Sequence, residues 1–314
     1  MTLTTVTISH IWEETPDIRC LALRPDSGTI RITPGAHLNV HLTDGIIRQY
    51  SIWNGPEDTD AYLIGVKLDP QSRGGSVAMH ALREGDRIQI GAPLTNFTLV
   101  PSSRPALLLA GGIGITPLLS MARHLAAGQH AHTLHLFVRG LDHVPFRKQL
   151  EALPDAPIHI GLAPPVLGDM LAGLLQHPTT EAHLYLCGPG PFMDLIMTTA
   201  RATGWPADRI HLERFSVAPI TVTRSTNSFN VVLKRSGKTV HVPENQTIVE
   251  ALEAVGVNVL TSCEQGVCGT CLTRVLKGTP DHRDQYLSSN EQATGESMMI
   301  CVSRCKHGPL VLDL

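Results

Sequence analysis

The stretch Ser262-Cys263-Glu264-Gln265-Gly266-Val267-Cys268-Gly269-Thr270-Cys271 sets three cysteines in the pattern C-x4-C-x2-C, and a fourth, Cys301, follows after a long gap. This is the ligand spacing of a plant-type [2Fe–2S] ferredoxin. A loop with this spacing must wrap closely round a small cluster, and Gly266 and Gly269 permit the backbone angles and close approach it needs. Thiolates hold the ferric ions, and backbone N–H groups reach the sulfides. Such a cluster changes charge by one electron, so the chain is expected to move electrons singly. A structural zinc site usually shows two C-x2-C pairs, whereas here one pair stands with two single cysteines. A disulfide framework belongs to short secreted chains, not to 314 residues carrying seven cysteines, an odd number. Cys305 follows Cys301 closely, and on spacing alone either supplies the fourth thiolate.

Working outward, 314 residues imply two or three domains. The formal charge of −3 leaves no nucleic-acid or polyanion footprint. No stretch reaches the run of about eighteen apolar residues that a membrane span requires. The segment Met1-Thr2-Leu3-Thr4-Thr5-Val6-Thr7 has neither a basic nor an apolar leader region, so no secretion signal is expected. Free thiols with an iron–sulfur site fit a reducing cytoplasm. Of the sixteen histidines, the densest group is His130, His132 and His135. No carboxylate or cysteine accompanies it, so these are read as solvated histidines in a loop entering a strand.

Residues 1–102 read as strands and turns, with alternating runs at Thr5–Ile11, Ile18–Leu23, His37–Leu42 and Tyr62–Leu68 between Pro and Gly punctuation. Short, evenly spaced strands predict an antiparallel β-barrel. Over 103–223 the period changes. The apolar run Ala106–Ala110 suits a strand buried on both faces, and strands then alternate with helices, which predicts a parallel α/β sheet. Ser216–Ser228 reads as a linker. Residues 228–314 open with a hairpin, Phe229–Leu233 and Lys238–Val242, then a helix over Thr247–Ala254, the cysteine loop and terminal strands. That order predicts a small β-grasp ferredoxin domain.

Two turns carry nucleotide chemistry. Ala110-Gly111-Gly112-Ile113-Gly114-Ile115-Thr116-Pro117 leads from an apolar strand through a glycine-rich turn into a helix. Backbone N–H groups there can face a diphosphate, and Pro117 suits a first helical turn. Leu186-Cys187-Gly188-Pro189-Gly190-Pro191 also stands between strand and helix. Ligands of parallel sheets lie at the carboxyl ends of strands, so the two turns can line one crevice. Cys187 has no neighbouring His and is read as lining rather than as a nucleophile. In the first domain, Arg48-Gln49-Tyr50-Ser51 offers a planar fork for phosphate, an aromatic face and a hydroxyl. Arg73-Gly74-Gly75-Ser76 offers backbone N–H groups and a hydroxyl for phosphate.

The order Arg-x-Tyr-Ser, Gly-Gly-Ser, Gly-Gly-Ile-Gly-Ile-Thr-Pro, Cys-Gly-Pro, Glu-x-Phe and a terminal ferredoxin resembles the class IA reductases of Rieske oxygenases, the phthalate dioxygenase reductase and vanillate O-demethylase reductase group. Cys301-Val302-Ser303-Arg304 and Asp281-His282-Arg283-Asp284 are also similar to that group. The resemblance covers essentially the whole chain. It implies an FMN barrel, an NADH domain and a [2Fe–2S] domain in that order, with Cys301 rather than Cys305 completing the ligands Cys263, Cys268 and Cys271. It implies that Arg48, Gln49, Tyr50 and Ser51 hold the flavin. Val66 and Lys67 then line its ribityl and phosphate, Gly74, Gly75 and Ser76 bind phosphate, Thr116 sits near the reactive edge, and Phe215 covers the ring. No second adenylate-binding stretch follows Ser76, so FMN is expected rather than FAD. NAD is assigned to Gly112, Gly114, Pro117, Cys187, Gly188 and Pro189. Asp142 is placed on the ribose hydroxyls, with Arg139 arguing mildly for a 2′-phosphate.

The expected activity is conversion of a two-electron hydride donor into single electrons, with Thr116 and Ser51 tuning the flavin and Phe215 guarding it. The expected partner is a terminal Rieske-type oxygenase acting on an aromatic compound, served by a monomeric cytoplasmic reductase. Two alternatives stand beside it. One is a reductase for another acceptor, such as a monooxygenase or haem protein. The other is a redox-sensing module that binds both cofactors without turnover.

Overall fold

The structure, a computed structural model, describes all residues except 1, 2, 27–29, 71, 73, 101–103, 177–180 and 216–226, and the side chains of Asp44 and Ser289. The chain forms two units, Met1–Arg214 and Phe215–Leu314. The expected linker lies, but for its last two positions, outside the described residues, as does Arg73.

The first unit opens with β1 (Thr4–Thr15), β2 (Ile18–Pro25), β3 (His37–His41), β4 (Ile47–Ser51), β5 (Tyr62–Lys67), helix α1 (Gly75–Ala81) and β6 (Arg87–Ile90). The strands form an antiparallel sheet in the order β4-β3-β6-β1-β2-β5. A bridge between Ile52 and Ile64 joins the two edges of this sheet and closes it. Alternation turns Val6, Ile8, Leu21, Leu23, Leu38, Val40, Ile64, Val66, Ile88 and Ile90 into the barrel core. The strand pattern is as the sequence predicts, with one correction. Residues Gly75–Ala81 form a helix where only a turn was expected. Seven residues give too little length for a helical period to show.

The same unit continues with β7 (Ala106–Gly111), α2 (Ile115–Ala127), β8 (His132–Val138), α3 (Arg147–Glu151), β9 (Ile158–Ile160), α4 (Pro164–Leu175), β10 (His183–Cys187), α5 (Gly190–Ala202) and β11 (Ile210–Glu213). These strands make a parallel sheet in the order β11-β10-β7-β8-β9. Alternate β7 residues serve opposite faces. Leu108 packs in the cluster that holds Leu118 and Leu119 of α2, and Leu109 in the cluster that holds Leu171 of α4 and Met193 of α5. The α2-side cluster also takes Cys20, Trp53 and Phe97 from the barrel side. Across this seam, Ser120 donates to the carbonyl of Asn54 at 2.8 Å, and Phe146 N–H donates to Glu14 at 2.9 Å.

The histidine expectation needs correcting. His132 and His135 belong to β8, not to a loop. Strand alternation buries His135, and its Nδ1 lies 2.9 Å from Nε2 of His159, with the two rings stacked. Burial pushes its pKa down to about 4, so it is neutral near pH 7. Only His130 is exposed as expected.

The second unit comprises β12 (Phe229–Leu233), β13 (Thr239–Val242), α6 (Ile248–Ala254), β14 (Leu272–Asp281), α7 (Ser289–Thr294), β15 (Ser297–Met299) and β16 (Arg304–Leu312). Its sheet runs β13-β12-β16-β14-β15, with β12 and β16 parallel. Helix α6 lays Ile248, Val249, Ala251 and Leu252 into the same core as the sheet. Its start is fixed by a capping box between Thr247 and Glu250. Ser288 and Glu291 repeat the device at α7, a helix not expected from the sequence. Arg304 is 3% exposed and donates to the carbonyls of Asn227, Pro243 and Gln246, which ties the ends of three segments together.

Candidate redox-cofactor sites

The cysteine loop runs between α6 and β14. Its tight path is visible in three left-handed residues, Glu264, Gly266 and Gly269. At Gly269 a side chain is excluded twice over, because φ is +79° and a Cβ would lie 2.5 Å from the Tyr286 ring. The four thiols stand as two hydrogen-bonded pairs, Cys263 with Cys268 and Cys271 with Cys301. Cys271 and Cys301 are buried and the other two half-buried. The N–H of Gln265 donates to the Cys263 sulfur at 3.3 Å, and that of Gly266 is directed at the Cys301 sulfur. The hydrogen bond from Cys263 holds the Cys268 thiol down to about 5 and pushes that of Cys263 up. Among the described residues no three Cys, His, Asp or Glu side chains gather as a single metal ion needs. Two thiol pairs with backbone donors aimed at sulfur suit a binuclear cluster. Cys305 lies on β16, where its thiol donates to the carbonyl of Gly308 at 2.8 Å.

In the first unit the two glycine turns meet. The strands run in chain order β7, β8, β9, β10, β11 but in space β11-β10-β7-β8-β9, so the order reverses between β7 and β10. That is the switch point where open parallel sheets bind ligands. The turn after β7 and the turn after β10 straddle it. A Cβ at Gly114 would lie 2.4 Å from the carbonyl oxygen of Cys187, so only glycine lets the turns approach this closely. A Cβ at Gly188 would lie 3.0 Å from Cα of Gly111. Pro117 is buried in the first turn of α2. Thr116 is buried and its hydroxyl donates to the carbonyl of Ile113 at 3.0 Å. Its methyl faces the barrel, since a Cβ at Gly65 on β5 would sit 3.3 Å from it.

On the barrel side, the Ser51 hydroxyl donates to Glu213 at 3.2 Å. Glu213 ends β11 in register with Cys187. Burial pushes Glu213 up to about 7, against the pull of Ser51. Burial and then the Glu213 charge push the Cys187 thiol well up, so it stays protonated. Ser51, Cys187 and Glu213 therefore form one polar group at the strand ends, beside Gly114. Glu213 is the residue the sequence reading missed. Glu213-Arg214-Phe215 drew attention only for its aromatic, and 162 residues separate Glu213 from Ser51.

The remaining residues are dispersed. Arg48 lies across Gly75, with Nε 2.5 Å from where a Cβ would be, and Gly74 takes a left-handed φ of +89°. The Ser76 hydroxyl accepts from Asp69 N–H at 3.1 Å. Tyr50 and Gln49 are half-buried on β4. Val66 points into the barrel core, and its carbonyl lies 2.9 Å from His80 Nε2. Lys67 pairs with Asp17 at 3.4 Å. Arg139 and Asp142 are exposed beyond β8. Phe215 opens the second unit with 39% of its surface exposed.

Comparison with known proteins adds to this geometry. The Fer2 family, "2Fe-2S iron-sulfur cluster binding domain", matches residues 231–306, from β12 into β16. The chain is 43% identical over 294 residues to the vanillate O-demethylase oxidoreductase of Pseudomonas putida, covering 92% of each. It is 40% identical over 293 residues to the carnitine monooxygenase reductase subunit of Escherichia coli, covering 90% of this chain and 88% of that one. The solved structure of phthalate dioxygenase reductase, "a modular structure for electron transfer from pyridine nucleotides to [2Fe-2S]", matches with a TM-score of 0.75 at 34% identity, over 99% of this chain and 98% of its own. With motif order, all three sheets and near full-length identity in agreement, this chain belongs to the oxidoreductase family of vanillate O-demethylase oxidoreductase and phthalate dioxygenase reductase.

Proposed function

We propose that the chain takes electrons from NADH, passes them through FMN in the first unit to a [2Fe–2S] cluster in the second, and delivers them to a Rieske-type oxygenase acting on an aromatic compound. The observation that carries this reading is the four-thiol loop, present in one chain with a closed barrel and a parallel sheet whose glycine turns meet at its switch point. When bound, the flavin accepts a hydride as an electron pair and the cluster hands electrons on singly.

The protein's own task is binding and orientation. Arg48 with Gly74, Gly75 and Ser76 takes the flavin phosphate, and Val66 and Lys67 border it. For Lys67 that role requires release from Asp17. Tyr50 and Gln49 would hold the flavin ring, and Phe215 would guard it. Ser51, held by Glu213, orients a hydroxyl at the ring's reactive edge, where Thr116 adds shape. Gly112, Gly114, Pro117, Cys187, Gly188 and Pro189 receive the dinucleotide, with Asp142 and Arg139 toward its ribose. Cys263, Cys268, Cys271 and Cys301 are the cluster ligands. Glu213, poised near neutrality, can hold or release a proton through Ser51.

Among the described residues no helix is long and apolar enough to cross a membrane. The reading further makes the protein a cytoplasmic monomer. A second acceptor class has its own support, since the carnitine monooxygenase reductase subunit is 40% identical. The test is direct. Anaerobic NADH should bleach the flavin absorbance of the purified holoprotein, and cytochrome c should then be reduced. Reconstitution with purified Rieske oxygenases and with monooxygenases separates the two acceptors. A flavin that stays oxidised under NADH ends the reductase reading and leaves the sensing module.

A further inference from the structure

Asp281-His282-Arg283-Asp284 is conspicuous in the sequence yet takes no part in the function above. In the second unit Asp284 has a fully buried side chain, 0% exposed. Leu287 N–H donates to its Oδ2 at 2.9 Å, and the Ser303 hydroxyl donates to its Oδ1 at 3.2 Å. His282 Nδ1 stands 3.4 Å from the same Oδ1. The guanidinium groups nearby in sequence are engaged elsewhere. Arg283 pairs with Asp281 at 2.8 Å, and Arg304 serves the carbonyls of Asn227, Pro243 and Gln246.

Asp284 adjoins the cysteine loop on two sides, by its Cα and Cβ on one and by its carboxylate on the other. On one side, a Cβ at Gly266 would lie 3.1 Å from both Cα and Cβ of Asp284, and Gln285 N–H donates to the Gly266 carbonyl at 3.0 Å. Gly266 in turn directs its own N–H at the Cys301 sulfur. On the other side, Ser303 follows Cys301 by two residues and holds Oδ1. Asp284 thus sits one peptide away from a proposed ligand sulfur, that of Cys301. Turn formation alone does not require the charge, because the amide oxygen of an asparagine would accept from Leu287 equally well. A buried carboxylate is costly unless it is hydrogen-bonded, and here Leu287 N–H and the Ser303 hydroxyl hold it charged beside the loop.

We propose that Asp284 is a positioning residue of the iron–sulfur centre that also sets its potential: it packs against Gly266 and holds Ser303 beside the loop, and its negative charge disfavours the extra electron. The proposal rests on reading Cys263, Cys268, Cys271 and Cys301 as the ligands. Reduction adds one negative charge to the cluster. A fixed carboxylate at this range, screened by protein rather than water, opposes that charge and lowers the potential. The centre then gives up its electron more readily to a partner.

The test uses the full-length holoprotein, with iron and sulfide counted per chain and the cluster followed by EPR-monitored redox titration. Asp284→Asn keeps an acceptor for Leu287 and removes the charge. It should retain both irons and favour the reduced cluster at least tenfold, an upward shift of about 59 mV for one electron. Ser303→Ala removes a donor from the carboxylate, strengthens its field at the cluster, and should move the potential the other way by less. Asp284→Asn with full iron and an unchanged potential overturns the proposal. If Asp284→Asn sheds its iron, Ser303→Ala decides: a downward shift supports the charge effect, and an unchanged or raised potential refutes it. Failure of the ligand reading looks different, because Cys268→Ala would then retain its iron.

Discussion

The two units reach their redox chemistry by opposite routes. In the second, three of the four proposed ligands lie within ten residues, and backbone N–H groups of the same loop finish the site. In the first, the polar group at the strand ends joins Ser51 of the barrel to Cys187 and Glu213 of the parallel sheet, and the glycine turns meet only because β7 and β10 are neighbours. A local site depends on each covalent ligand in an all-or-none manner. A distributed site divides its binding among many weak contacts, so each loss is fractional.

The largest expected effect breaks the local site. Cys268→Ala should lose the cluster completely, seen as loss of iron and of visible iron–sulfur absorption, while NADH still bleaches the flavin. Retained absorption would erase the contrast between the units. A smaller effect is expected at Arg48, whose fork lies over Gly75. Arg48→Ala removes charge-assisted hydrogen bonds to phosphate and should weaken FMN retention roughly tenfold to a hundredfold, measured by equilibrium dialysis. Unchanged FMN content would remove Arg48 from the site. The smallest effect sharpens the role of Glu213. Its pKa in the folded chain is raised to about 7, so folding favours the protonated form. That contribution is complete below the ordinary carboxylate range and is lost as pH rises toward 7. Glu213→Gln should flatten this part of the stability–pH curve of the first unit, followed by thermal melting. An identical slope in both proteins would show that Glu213 does not titrate there.

The same contrast explains what could be read from the chain. The cysteine loop was legible because ligand chemistry is written in spacing, and the barrel strands because alternation is written in period. The turns at Gly114 and Gly188 were visible as glycine clusters. Glu213 was not visible, because nothing near it in sequence names Ser51 as its partner. The burial of His135 was hidden by neighbours that resemble a loop, although strand period places it on the face that meets His159. Helices α1 and α7 were too short to show a period, but the Ser288–Glu291 capping box at α7 was a signal available in the sequence.

The seam in the first unit bears on how the molecule comes apart. Cys20, Trp53 and Phe97 share a core with α2 and the parallel sheet, and Trp53 packs its ring 5.0 Å from that of Phe146. Severing the gene between β6 and β7 would therefore yield two fragments with sticky, half-built interiors, not two soluble modules. Calorimetry should record the barrel and the parallel sheet melting in one cooperative step. Three sheets would then melt as two bodies, matching the two units of the chain.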